Sequence, residues 1–153
     1  MIRAILFDLD GTLVQTEKLK ALSYARAVQR VRGLPEPDPR AIEAYREIVG
    51  STREVASRHI MDSLELESDL CQLMAQYDVS EPWEVLTAMR VSIYTQTVEN
   101  PQVIRDNQWP HTVSLLRVAR DFYCRTGLAT MSLLPRPSTC CRPWDWRSTW
   151  TWC

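Results

Sequence analysis

Ile5-Leu6-Phe7-Asp8-Leu9-Asp10-Gly11-Thr12-Leu13-Val14 is the stretch on which the rest of the chain is organised. An apolar run (Ile2, Ala4, Ile5, Leu6, Phe7) meets two carboxylates two residues apart, then Gly-Thr, then more apolar residues. A run of this length, with few charges and β-branched or aromatic members, predicts a strand buried on both faces. In open parallel α/β sheets ligands sit beyond the carboxyl ends of the strands, where Asp8 and Asp10 fall. Strand side chains alternate, so the two carboxylates share a side if the extended conformation continues. Held that close they repel, which calls for a positive neighbour, most simply a divalent cation. Gly11 permits a tight turn, and Thr12 can offer a hydroxyl and an amide to an anion.

A bland alternative is a surface turn in which Asp-Gly merely ends a strand, and a lone D-x-D leaves it open. The full string from Phe7 to Val14, FDLDGTLV, is far more specific. It resembles the first motif of the haloacid-dehalogenase (HAD) superfamily of phosphatases and phosphomutases. The resemblance implies that Asp8 is a nucleophile forming an aspartyl-phosphate and that Asp10 is the general acid and base. Asp8 and the Asp10 backbone carbonyl would hold Mg2+, and Gly11 and Thr12 would lie against the phosphate. A carboxylate can attack phosphorus once a metal has neutralised the charge, and a second carboxyl can protonate the leaving oxygen.

The whole chain narrows the setting. Its 153 residues suit one domain, or a core with a small insertion. A net charge of −1 gives no reason to expect nucleic acid or an anionic membrane as partner. No apolar stretch approaches a membrane span, and Arg3, Asp8 and Asp10 argue against a secretory signal, so cytoplasm is the expected location. The cysteines (Cys71, Cys124, Cys140, Cys141, Cys153) have neither disulfide-framework nor zinc-site spacing.

From Thr16 to about Val98 the apolar spacing is helical. Thr16 can cap a helix carrying Leu19, Leu22, Ala25, Val28 and Val31, which Gly33 ends. Pro35, Pro37 and Pro39 stiffen a linker. A second helix is expected to turn Ile42, Tyr45, Ile48 and Val49 inward and stop at Gly50. A third starts at Ser51 or Thr52 with Val55, Ile60 and Met61; a fourth carries Leu70, Leu73, Met74 and Tyr77. Ser80 and Pro82 open a fifth with Val85, Leu86, Met89 and Ile93. An all-helical block after the first strand is what the resemblance implies for the helical-cap branch, the β-phosphoglucomutase and phosphoglycolate-phosphatase type.

Within that block Gly50-Ser51-Thr52-Arg53-Glu54 resembles the G-x-[ST]-R element by which such caps approach substrate. Arg53 would offer a planar fork to a phosphate or sugar group, against the alternative of a solvated first-turn arginine. Glu17 stands where related sequences carry an acid at the cap entrance, although Gln15-Thr16 replace the aspartate usual just before it. His59 and His111 have no partners at ligand spacing and read as ordinary histidines. Asn100 through Pro110 is expected to be a return linker, and Pro110 opens a helix with Val113, Leu116, Ala119 and Phe122. Thr126 to Ser132 then predicts a short buried strand ending in hydroxyls. The family's second motif is a Ser or Thr at such a strand end, and Thr130 fits it, its hydroxyl and the Met131 amide holding the transferring phosphoryl group.

After Ser132 the chain departs from the family. The resemblance requires a lysine and a later acidic pair, yet no lysine follows Lys20 and the only acid after Asp121 is Asp145. The tail LLPRPSTCCRPWDWRSTWTWC has no strand or helix period, and four of six tryptophans lie in its last ten residues. Trp has a single codon, so a shifted reading is partly fixed. Starting each codon on the third base, Trp144-Asp145-Trp146 forces an NTG codon, Gly, then Leu, and Thr151-Trp152-Cys153 forces Asp, NTG, then Val. With GC-rich choices elsewhere, in keeping with sixteen arginines against two lysines, the tail can be read as AAEAQHVLQALGLEEYLDLV. That is an amphipathic helix, a turn and the start of a strand, in keeping with the usual continuation of the family. A frameshift near Met131 to Leu134 is the expectation.

The reading is therefore an α/β fold: an incomplete HAD-like parallel core (1–15 and 99–132), an inserted helical cap (16–98) and an irregular tail (133–153). The implied activity is a Mg2+-dependent phosphatase acting on a small phosphorylated metabolite, impaired in this chain. A catalytically inactive fragment and, in a complete form, a phosphomutase are the alternatives; a helical interaction module using the Trp-rich tail is a third. Neither the substrate's identity nor an oligomeric state is encoded in these motifs.

Overall fold

In the computed structural model, residues 2–129 are described. They form two compact units, residues 2–16 with 100–129, and residues 17–99.

The first unit is built on strands β1 (Ala4–Asp8) and β2 (Arg125–Ala129), which run parallel with Ala4 opposite Arg125 and Asp8 opposite Ala129. Among the described residues the sheet has these two strands. Parallel neighbours need a long crossover, and everything from α1 to α8 lies within it. Helix α7 (Pro101–Asp106) occupies what was expected to be linker. Pro101 sits at its start, where a missing N–H costs nothing, and the Asn100 side chain accepts a hydrogen bond from the Gln102 amide at 3.0 Å. Helix α8 (Pro110–Asp121) begins the same way at Pro110 and packs on β2. Phe7, Leu13, Val14 and Leu116 form the small core, flanked by Ile5, Leu9, Ile104, Val113 and Leu128.

Two expectations about this unit are corrected. β1 is not buried on both faces: Phe7 is 4% exposed, whereas Leu6 is 75% exposed. An apolar run alone cannot fix burial, which needs a layer on each side, and α8 supplies a layer on one. Phe122, expected on the inner stripe of α8, is exposed because the helix ends at Asp121 and the chain turns there. β2 is half-buried rather than buried.

The second unit is helical. Helix α1 (Thr16–Arg32) stops where Gly33 takes φ +62°, and the Leu34 amide returns to the Gln29 carbonyl at 2.9 Å. Helix α2 (Pro39–Glu47) is capped by the Asp38 carboxylate, and α3 (Arg53–Ser63) by the Thr52 hydroxyl, which accepts from the Val55 amide at 3.3 Å. The expected fourth helix is two short ones, α4 (Glu67–Cys71) and α5 (Met74–Tyr77), because Leu73 and Gln76 bond three residues back and tighten the chain. Helix α6 (Pro82–Val98) opens with a capping box, the Glu84 carboxylate accepting from the Glu81 amide at 2.9 Å. Tyr24, Val28, Ile60, Leu66, Leu70, Val85 and Leu86 are fully buried, each large apolar side chain worth roughly 1.5–3 kcal/mol. Val49 and Val55, expected inward, are exposed: Val49 lies past the end of α2, and Val55 precedes the inward face of α3, which carries Ala56, Ser57 and Ile60. Among the described residues no helix is long and apolar enough to cross a membrane.

Candidate active site

The chemistry-bearing loop starts where β1 stops. Asp8 is the last residue of the strand and is exposed; Leu9 bends away, so the extended conformation that would align Asp8 with Asp10 does not continue. The Leu9 carbonyl accepts from both the Leu13 and Val14 amides, at 3.1 and 3.0 Å, and the Gly11 amide donates to the Val14 carbonyl at 2.8 Å. Gly11 takes φ +76°, which a side chain would strain although a Cβ there would meet nothing within 4 Å. The loop is tied to its own unit by the Gln15 amide on the Asn107 carbonyl at 2.7 Å and the Trp109 amide on the Leu13 carbonyl at 2.9 Å. Buried Leu13 and Val14 are its anchors.

The Thr12 hydroxyl donates to Asp8 Oδ2 at 3.4 Å, a long bond that leaves the carboxylate accessible. The Thr12 amide has no acceptor among the described residues, while the Gly11 amide is used within the loop. Asp8, Asp10, Gly11 and Thr12 therefore share one short turn, with the exposed Asp8 carboxylate at its base and, among the described residues, an uncommitted Thr12 N–H beside it. Asp8 lies opposite Ala129, so both strand ends open at the same edge. Thr130 and Met131 lie outside the described residues.

Two hard oxygen donors, the Asp8 carboxylate and Asp10, suit Mg2+, which binds through one or two carboxylates and keeps waters or substrate phosphate for the rest. Among the described residues no group of three or more His, Cys, Asp or Glu side chains assembles. Asp8 and Asp10 are the residues that could contribute oxygen ligands to such an ion.

The remaining candidates belong to the helical unit. Gly50 takes φ +90° ahead of α3, and Arg53 is the first residue of that helix, exposed to solvent. Glu17 is fully engaged: Lys20 Nζ donates to its Oε1 and the Tyr45 hydroxyl to its Oε2, both at 2.6 Å. Burial, followed by the hydrogen bond and charge of Glu17, holds the Tyr45 phenol far above its ordinary pKa, with Arg90 pulling the other way. The Tyr24 hydroxyl meets the Ser57 hydroxyl at 3.2 Å, and Ser57 meets that of Thr87 at 2.7 Å. Sequence reading missed this cluster because each helix contributes only one or two of its polar groups. The signal was Arg90 itself, which falls in the register of Leu86 and Ile93 on the apolar stripe of α6.

The family model for haloacid dehalogenase-like hydrolases matches residues 2–145. The chain belongs to that family. A comparison with curated proteins finds no match. The HAD-like match covers the Asp8 loop and both units and runs past Ser132 to Asp145.

Proposed function

We propose that this HAD-like hydrolase is a phosphomonoester phosphatase of the helical-cap branch, working through an aspartyl-phosphate on a small phosphorylated metabolite in the cytoplasm. The observation that supports it is the exposed Asp8 carboxylate at the end of β1, beside the Thr12 hydroxyl and an uncommitted Thr12 amide. An Asp8 oxygen attacks phosphorus and the ester oxygen departs with a proton from Asp10. Water then attacks the same phosphorus, Asp10 takes its proton, and inorganic phosphate leaves with the Asp8 carboxylate restored. Mg2+, held by Asp8 and Asp10, would supply the charge neutralisation that lets one anion approach another. Thr12, Gly11 and, by resemblance, Thr130 and Met131 would surround the phosphoryl group, with Glu17, Gly50 and Arg53 as the cap's contribution.

Within these 153 residues no lysine follows Lys20 to balance phosphoryl charge and Asp145 is the only acid after Asp121, which supports reduced turnover for these residues acting alone. We read the tail beyond Ser132 as out of frame. A p-nitrophenyl phosphate assay with and without Mg2+, on the wild type and on Asp8→Asn, tests the assignment. Expected is slow Mg2+-dependent hydrolysis that Asp8→Asn removes. Full activity in Asp8→Asn would refute the nucleophile. The lack of a lysine after Lys20 within these 153 residues favours a second reading, that they are inactive on their own, and no Mg2+-dependent hydrolysis above background would support it.

A further inference from the structure

Arg90 is 7% exposed, and its Nε is buried without a hydrogen-bond partner. Among the described residues no carboxylate pairs with it. Its guanidinium carbon instead lies 5.2 Å from the ring centre of Tyr24 and 5.5 Å from that of Tyr94. Rings answer a guanidinium through its charge and its flat faces, and they accept nothing from an in-plane donor such as Nε–H. A buried cation in that state is costly unless an acceptor reaches the edge of its plane. Among the described residues none hydrogen-bonds its Nε. Glu17, the acid linked to this cluster, has one oxygen on Lys20 and the other on Tyr45. The Tyr24, Ser57 and Thr87 hydroxyls are bonded to one another and to the Trp83 carbonyl at 3.1 Å.

We propose that Arg90, walled by Tyr24 and Tyr94, is a binding site for a small carboxylate within the helical unit. A single guanidinium amid neutral hydroxyls matches a monoanion, and a carboxylate is the planar acceptor that meets its in-plane donors two at a time. A phosphate dianion would bring a second negative charge, and the neighbouring Lys20 is already paired with Glu17. The site stands apart from the phosphatase reading: Asp8 has no part in it.

Acetate is the probe, titrated against chloride at constant ionic strength while arginine Nε–H resonances of the full 153-residue chain are followed by NMR. The peak that disappears in Arg90→Lys is that of Arg90. It is expected to move and saturate with acetate in the wild type and equally in Asp8→Asn. Tyr94→Leu, which keeps the cation and removes one wall, is expected to weaken the response at least several-fold. Should Arg90→Lys fail to fold, Tyr94→Leu alone carries the comparison. No saturable shift of any arginine Nε–H, or an acetate response unchanged in both Arg90→Lys and Tyr94→Leu, overturns the proposal. A response lost in Asp8→Asn but kept in Tyr94→Leu places the anion at the Asp8 loop and also overturns it.

Discussion

Asp38 shows how much one side chain can do at the start of a helix. Its carboxylate is 3% exposed, accepts from the Arg40 amide at 3.0 Å and forms a fork with the Arg40 guanidinium at 2.7 and 3.1 Å. The side-chain bond from Arg40 is the largest influence on its pKa and holds it below the ordinary 3.8, against the opposing pull of burial. A carboxyl whose folded pKa is depressed adds stability that is present above the unfolded value and lost as pH falls through the folded one. Asp38→Ala removes cap and charge together and is expected to cost about 1–2 kcal/mol near neutrality. Asp38→Asn keeps a cap oxygen and should cost less. In urea melts, the gap between wild type and Asp38→Asn should shrink from about pH 5 toward pH 2. A gap that holds constant across that range would show that the ion pair adds nothing. The same scale explains why Arg90 escaped notice in the sequence: an arginine is ordinarily read as surface, and only its register with Leu86 and Ile93 marks it as internal.

At the scale of elements, helices were readable and strand burial was not. Helix ends are written locally: Gly33 ends α1, Thr52 caps α3 and Pro82 opens α6, each through backbone geometry that a few residues decide. In α7 a stretch expected to be a return linker forms a helix, because Asn-Pro is also a helix start. The split of α4 from α5 carries no Gly or Pro to announce it. The loop from Asp8 to Thr12 was readable as a motif, but its turn at Leu9 and the use of the Gly11 amide depend on distances no string states. Burial of β1 depends on what covers it. Leu6 leans over Gly127, where an added Cβ would come within 2.7 Å of its Cδ2, yet the rest of Leu6 faces out. Leu6→Thr should therefore change stability by no more than about 0.5 kcal/mol. Gly127→Ala should be nearly as mild, since the tip of an exposed leucine can swing aside. Phe7→Ala, at a 4% exposed position, should cost about 3–5 kcal/mol. Denaturant melts of the three variants separate these cases, and a Leu6→Thr loss equal to that of Phe7→Ala would mean that the outer face of β1 is covered.

At the scale of the molecule, the two units have unequal means of holding themselves together. Residues 17–99 enclose Tyr24, Val28, Ile60, Leu66, Leu70, Val85, Leu86 and their neighbours in one continuous cluster. Residues 2–16 with 100–129 bury Phe7, Leu13, Val14 and Leu116, under a parallel pair whose outer face is open among the described residues. Helical contacts are also local, whereas β1 meets β2 only after the chain has closed a loop from Asp8 to Arg125. Opening free energy follows buried apolar contact and loop-closure cost, so the sheet should open well before the helices do. Native-state hydrogen exchange is expected to show α1 and α6 amides near Tyr24 and Leu86 protected at least about ten-fold more than those of β1 and β2, a difference of about 1.4 kcal/mol. Because Asp8 is the last residue of β1, the same opening would displace its carboxylate, so on the proposed phosphatase reading turnover would also depend on how firmly this strand is held. If the proposed site binds inorganic phosphate with Mg2+, their addition should slow exchange in β1 while leaving α6 unchanged. Strand amides already as protected as those of α6 would remove this account of a weakly held sheet.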